Sequence, residues 1–251
     1  MTGIICATDD EILHIAAEMK KAEDLKVEKI GLRTVYTGSM YGKRVVLTQS
    51  NIGKSAAALT VGILAMRFGV DEIIFTGTGG SLSAKCTLGD IVVADKLVQH
   101  DFDLPGDRDF VIPILNKAYF EADAALSEKL YRAASEYIKN EIKDELDDET
   151  VRRFGLSSPK VHRGNIASGD VFVRTSEKKE FIKSRVENVL CCEMEGAAAA
   201  QAAFELGIPI AVARIISDAA DEDAEFSYDM FVKKASSVIN AGIVRNLLKN
   251  T

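Results

Sequence analysis

The chain has 251 residues, 38 acidic against 31 basic for a net charge of −7, with 47% apolar residues, 18 Gly, only 4 Pro and no Trp. That length suits one large domain or two small ones, and the aliphatic, Pro-poor composition excludes disordered and collagen-like classes. No basic cluster is dense enough for a nucleic-acid or lipid surface, so neither is expected as a partner.

In chain order, "GIICA" (3–7) reads as a strand stopped by Asp9, Asp10 and Glu11. The run is short, with no basic flank and no small-residue cleavage site, so it is not expected to be a signal peptide. No stretch approaches the ~20 apolar residues of a spanning helix. Residues 9–20 form a helix with Ile12, Ala16 and Met19 on one face. Residues 33–50 read as a hairpin and 54–68 as an Ala-rich helix. "DEIIFTG" (71–77) is a strand entering a Gly-rich turn, and "GDIVVAD" (89–95) is another strand. Residues 102–120 look irregular. Residues 121–143 are amphipathic, with Leu126, Leu130, Ala134 and Ile138 aligned. The charged run 139–150 reads as a solvated helix end and surface excursion. Strands recur near 161–168, 187–193 and 209–216, and helices at 175–184, 195–206 and about 229–248. With no repeat and no linker, the expectation is a single α/β domain over 1–251, three-layer α/β/α around a mixed sheet.

Cys6, Cys86, Cys191 and Cys192 lack zinc-type spacing and sit mostly in apolar runs, as reduced core residues of a cytoplasmic protein do. His14, His100 and His162 are scattered, which leaves a His-based metal site or a Ser-His-Asp triad without support. No metal and no organic cofactor is indicated.

Polar residues collect where strands end. The first strand runs into Asp9-Asp10-Glu11, the strand after 71 into "TGTGGS" (76–81), that at 187–192 into Glu193-Met194-Glu195, and that at 209–216 into Ser217-Asp218. Ligands of α/β sheets bind outside the carboxyl ends of strands. Each residue alone could be an ordinary helix cap; their joint occurrence points to a site. "TGTGGSL" lacks the third Gly of a dinucleotide fingerprint, because Leu82 stands there. A plain turn and a ribose- or phosphate-binding turn both remain open. Arg214, inside "IAVARII", is either a structural ion-pair partner or reaches the pocket rim. Phe172 in "SGDVFV" reads first as a core plug, and otherwise as a platform for a flat ring.

Together these segments resemble the 5′-methylthioadenosine/S-adenosylhomocysteine nucleosidases of the nucleoside phosphorylase/hydrolase superfamily. The resemblance is carried in order by "GIICATDDEI", "SNIGKSAAAL", "TGTGGSL", "GDIVVAD", "HDFD", "SGDVFV", "CEMEGAAAA", "RIISDAAD" and "FSYDMF". It implies a nucleoside phosphorylase-like fold and a methionine-salvage hydrolase that releases adenine from an adenine nucleoside, as a cytoplasmic homodimer. It implies that Glu11 helps activate water, that Glu195 and Met194 hold the ribose, and that Asp218 protonates the leaving base. Phe172 would stack on adenine, with the Val173 backbone at its Watson–Crick edge. Thr78 and Arg214 would lie around the water, Ile52 and Tyr228 would enclose the sugar or its alkylthio group, and Ser217 would join the binding residues. Glu193 falls to a structural bond behind the site. Two places depart from the pattern: Thr8 stands where Met is common, and the turn reads "TGTGGS" where the family tends to have an Ala and a further Gly, although Thr78 keeps a hydroxyl. Residues 104–160 match poorly, so the preference for the 5′ substituent is not read from this sequence.

Three alternatives compete. A purine nucleoside phosphorylase needs cations for phosphate, yet residues 1–18 contain no Lys or Arg and Glu11 would repel the anion. A hydrolase of aminodeoxyfutalosine or 5′-deoxyadenosine would use the same residues. A non-enzymatic nucleoside-binding module would not need Glu11, Glu195 and Asp218 together.

Overall fold

The computed structural model describes residues 1–104 and 109–250; the side chains of Phe226 and Ser227, in the matched "FSYDMF", lie outside the described part. The strands are β1 (Thr2–Cys6), β2 (Lys26–Ile30), β3 (Arg33–Met40), β4 (Lys43–Gln49), β5 (Glu72–Ser81), β6 (Ile91–Gln99), β7 (Tyr119–Glu121), β8 (Val161–Ser168), β9 (Val189–Glu193) and β10 (Ile210–Asp218). The helices are α1 (Asp9–Met19), α2 (Lys54–Ile63), α3 (Ala124–Asn140), α4 (Ile142–Glu145), α5 (Asp148–Phe154), α6 (Ser176–Arg185), α7 (Gly196–Leu206), α8 (Ala224–Phe231) and α9 (Ser237–Lys249). Single π-helical turns continue α2 over Leu64–Phe68 and join α8 to α9 over Val232–Ser236. None of the described helices is long and apolar enough to cross a membrane.

The sheet is mixed, in the order β2-β3-β4-β1-β5-β9-β8-β6-β10, with β7 beside β6. Because β10 also pairs with β5, strands β5, β9, β8, β6 and β10 close into a ring from which β1, β4, β3 and β2 extend. Strand alternation sends successive residues to opposite faces, and here both faces are apolar. Ile73, Phe75, Val92, Val212 and Ile216 pack towards one cluster, which includes Ala57 and Val61 of α2, Leu64 of the turn that continues it, and Ala197, Ala200 and Ala203 of α7. Ile74, Ile91, Val93, Ala211, Ala213 and Ile215 pack towards another, with Leu130 and Tyr137 of α3 and Ile243 and Leu247 of α9. The sheet is thus the middle of three layers. The alanine face of α7 lets α2 approach closely.

Three local expectations change. Strand β2, "KVEKI", escapes the pattern because three of its five residues are charged and its two apolar ones, Val27 and Ile30, fall on opposite faces of an edge strand. The acidic excursion is anchored rather than free: Ile142 and Leu146 are buried, and Arg245 of α9 bonds Glu141 and Glu145. The segment 76–81 is strand, not turn. Its residues pair with β10 through Asp218↔Gly80 and with β9 at Gly80 and Ser81, so tertiary pairing overrides the low strand propensity of Gly.

Candidate active site

The carboxyl ends of β1, β5, β9 and β10 meet at one pocket. Ten of the eleven residues singled out in sequence line it: Glu11, Ile52, Thr78, Phe172, Val173, Met194, Glu195, Ser217, Asp218 and Tyr228. Arg214 is not among the lining residues. Ala7, Thr8, Gly79, Gly80, Val171, Cys192 and Glu193 complete the wall.

β5 builds the floor. Its pairing with β1 ends at Phe75, and β9 takes over only at Gly80. Between them a window opens in the ladder, where backbone amides are available to other groups. Glu11 fills it: Oε1 accepts the Thr78 N–H at 2.7 Å and the Thr78 hydroxyl at 2.8 Å. Oε2 accepts the amides of Ala7 at 2.9 Å and Thr8 at 3.2 Å. Thr8 in turn caps α1 by accepting the Glu11 N–H at 3.3 Å, a reciprocal capping box. The Thr at this departing position therefore has a local task in the helix start. A Cβ on Gly77 would lie 2.8 Å from Glu11 Oε1 and 3.0 Å from Oε2. Gly77→Ala is expected to displace that carboxylate and lower turnover by about 10²-fold, as misplacements of about 1 Å do. Comparing kcat with the melting temperature checks it; wild-type kcat would contradict it.

At the end of β9 the two carboxylates divide. Glu193 faces inward and accepts the amides of Glu195 at 3.1 Å and Gly196 at 2.7 Å, the Ser168 hydroxyl, and Arg214 through Nε at 3.1 Å and a terminal nitrogen at 2.6 Å. Arg214, 1% exposed, lies over the Phe75 ring at 4.4 Å. It is a buried ion-pair partner, 4.0 Å from Glu195 Oε2. Glu195 keeps one amide, that of Gly53, at 2.9 Å on Oε1. Burial, then the neighbouring Glu193, push its pKa up to about 8 despite Arg214 and the Gly53 amide.

Asp218 closes β10. Its Oδ2 accepts the Ser217 hydroxyl at 2.8 Å, and its Oδ1 the Ala220 amide at 2.9 Å. Burial raises its pKa, outweighing both hydrogen bonds. A Cβ on Gly80 would come within 2.7 Å of Oδ1, so the glycine makes room for the acid.

The opposite wall is apolar. Phe172 is 38% exposed, so it is no core plug; its ring meets Tyr228 edge-on at 5.9 Å. Val173 is buried beside it, and Ile52 is exposed at the mouth. The result is a cleft with an aromatic, open side for a flat ring and a carboxylate-rich floor for a group that gains positive charge. None of the lining residues is Lys or Arg. Among the described residues no group of three or more His, Cys, Asp or Glu is placed to hold a metal ion.

Sequence reasoning misses the Gly53 amide, because a backbone donor leaves no residue signature. The left-handed φ of +99° at Gly53 is its one local clue.

Comparison with known proteins adds the following. Residues 2–249 match the Phosphorylase superfamily. A 5′-methylthioadenosine/S-adenosylhomocysteine nucleosidase of Staphylococcus saprophyticus is 34% identical over 251 residues, covering 99% of both chains. The crystal structure of the Neisseria meningitidis nucleosidase of the same name, in complex with methylthio-immucillin-A, superposes with a TM-score of 0.84 at 32% identity, covering 100% of this chain and 99% of that one. A futalosine hydrolase of Helicobacter pylori superposes with a TM-score of 0.83 at 30% identity, covering 100% and 97%.

Proposed function

The chain belongs to the phosphorylase superfamily and, within it, to the 5′-methylthioadenosine/S-adenosylhomocysteine nucleosidases, and from that premise we propose the following reaction. The enzyme hydrolyses the N-glycosidic bond of 5′-methylthioadenosine and S-adenosylhomocysteine, releasing adenine and the 5′-thio-ribose. One observation supports hydrolysis above phosphorolysis: the pocket presents Glu11, Glu195 and Asp218 and no cationic lining residue. A phosphate there would meet Glu11 and Glu195 with no Lys or Arg on the pocket wall to bind it.

In the proposed mechanism adenine lies against Phe172, with its edge at the Val173 backbone. As the bond from the sugar's anomeric carbon to the base lengthens, positive charge builds on the ribose, as in glycoside hydrolysis. Glu195 stabilises that charge and holds the ribose hydroxyls beside Met194. The bonding electrons leave with adenine, whose imidazole nitrogen takes the Asp218 proton. The raised pKa of Asp218 supports this role, because the acid must hold its proton near neutral pH. Ser217 orients it. Water attacks the anomeric carbon and loses a proton to Glu11, which the amides of Ala7, Thr8 and Thr78 aim at the window in β5. Ile52 and Tyr228 enclose the sugar's far end. Arg214 acts through Glu193 rather than by touching the substrate.

We further propose that residues 1–251 act as one domain, in a cytoplasmic homodimer serving methionine salvage. Exposed apolar side chains on and beside α2 and α7, among them Ile52, Leu59, Met66 and Phe204, support self-association. The four buried, unpaired cysteines support a reducing compartment.

The test is a substrate panel in phosphate-free buffer, comparing methylthioadenosine, S-adenosylhomocysteine, 5′-deoxyadenosine, aminodeoxyfutalosine and inosine. Adenine release from the first two without phosphate is the expected result. A strict phosphate requirement with ribose 1-phosphate as product would assign the chain to the phosphorylases. A marked preference for aminodeoxyfutalosine would assign it the activity of the futalosine hydrolases.

A further inference from the structure

Three segments that do not adjoin in sequence are tied together beside the pocket. Lys54, at the start of α2, donates from Nζ to Asp101 Oδ1 at 2.6 Å. Asp101, just beyond β6, accepts the Asp170 amide on its other oxygen at 2.8 Å. Asp170, just beyond β8, accepts the Lys54 amide on Oδ1 at 2.8 Å. The circuit is closed: each of the three side chains bonds another member, and none of the three lines the pocket. The Lys54 and Asp101 side chains are about four-fifths buried, at 17% and 19% exposure. Burial raises the Asp101 pKa, but the Lys54 ammonium and the Asp170 amide outweigh it and hold the carboxyl below its usual range. Burial lowers the pKa of His100, which lies below Gly169, against the opposing pull of Asp101, with Lys178 and Lys54 adding to the lowering.

The circuit ends on two working parts of the site. One residue before Lys54 is Gly53, whose amide bonds Glu195 Oε1. Two and three residues after Asp170 are Phe172 and Val173, the wall for the base. The sugar side and the base side of the pocket are therefore fixed relative to each other through Asp101.

We propose that Lys54, Asp101 and Asp170 form a positioning clamp that holds the Gly53 amide on Glu195 and the 170–173 segment against the base in one fixed relation. The inference rests on the nucleosidase reading above. The clamp confers no binding group of its own. It sets the angle between the carboxylate that faces the ribose and the wall that faces the base, and small errors there reduce rate more than affinity. A loosened Gly53 amide also leaves the Glu195 charge supported by Arg214 on β10 alone, against burial, Glu193 on β9 and Glu11 on α1.

The experiment measures adenine release from methylthioadenosine across pH for the wild type, Asp101→Asn, Asp170→Ala and Asp170→Asn, with a thermal melt of each. Asp101→Asn is expected to lower kcat by about 10- to 100-fold. The limb of kcat/KM that reports Glu195 should move to higher pH, a change that a merely structural defect would not produce. Asp170→Ala should behave likewise. Asp170→Asn keeps an oxygen for the Lys54 amide and should stay within about threefold of wild type, since a neutral acceptor retains most of such a bond. If Asp101→Asn does not fold, Lys54→Met replaces it with the same expectation. Wild-type kcat and pH profile in Asp101→Asn, or equal losses in Asp170→Ala and Asp170→Asn, would overturn the clamp while leaving the nucleosidase reading intact. A wild type that releases no adenine would overturn that reading, and the clamp with it.

Discussion

Asp218→Asn is expected to slow adenine release by about 10²–10⁴-fold, the range that a positioned general acid supplies, while the protein still folds and binds methylthioadenosine. Adenine leaves poorly as an anion, so the proton must arrive as the bond breaks. Asn has the shape of Asp: its Oδ1 can still accept the Ala220 amide, and its Nδ2 can donate to the Ser217 hydroxyl oxygen where the wild-type Oδ2 accepts from that hydroxyl. What it lacks is a transferable proton. Burial already favours the neutral form of Asp218, so the substitution places no new desolvated charge in the fold. Single-turnover release, calorimetric binding and a thermal melt separate the outcomes. Near-normal release would remove Asp218 from the acid role; lost binding would make it a recognition residue instead.

Glu195→Gln is expected to lower kcat by about 10²–10³-fold, the usual loss when one preorganised electrostatic partner is removed. Its effect on stability should run the other way. The folded-state pKa of Glu195 lies above that of the unfolded chain, so folding favours the protonated form. Its contribution is fully present below about 4.5 and is lost as pH rises to about 8. Gln does not titrate, so the variant should not share this decline. Melting temperatures from pH 5 to 9 should show the wild type falling towards the variant or below it at the alkaline end. A variant that loses stability equally at every pH would mean that the Glu195 charge is fully compensated in the fold. Under the proposed roles, Glu195 ionised and Asp218 protonated, wild-type kcat is expected to pass through a pH optimum with opposing limbs.

How much of this is legible in sequence differs from residue to residue. The helices at 9–20, 175–184 and 195–206 and the strands at 161–168 and 187–193 are read to within two residues, because caps and apolar runs bound them. The gathering of Glu11, Glu195 and Asp218 follows from their common position at strand ends. β5 is misread beyond Gly77 because Gly and Thr signal a turn locally, whereas the strand persists through its pairing with β10. Those glycines are needed for close approach by Glu11, Cys191 and Asp218, and that requirement arises only in three dimensions. Arg214 shows the same limit. Sequence leaves open whether it faces substrate or a buried partner, and only the orientation of Glu193 decides. Lys54, Asp101 and Asp170 each look like ordinary surface residues, and nothing in their spacing announces that they meet.

The closure of β5, β9, β8, β6 and β10 into a ring leaves those five strands without an edge for a foreign strand to join. One open end of the sheet is β2, whose outer side has no partner strand among the described residues. A bare edge can template strand addition and aggregation, and charges along it oppose this. In β2, Lys26, Glu28 and Lys29 fall within five residues, and Arg67 pairs with Glu28 at 2.6 Å. An incoming chain would have to desolvate these charges and break that pair. The charges that hide β2 from pattern reading thus oppose strand addition at this edge, and replacing Lys26 and Lys29 with Val would be expected to turn it into a self-association surface.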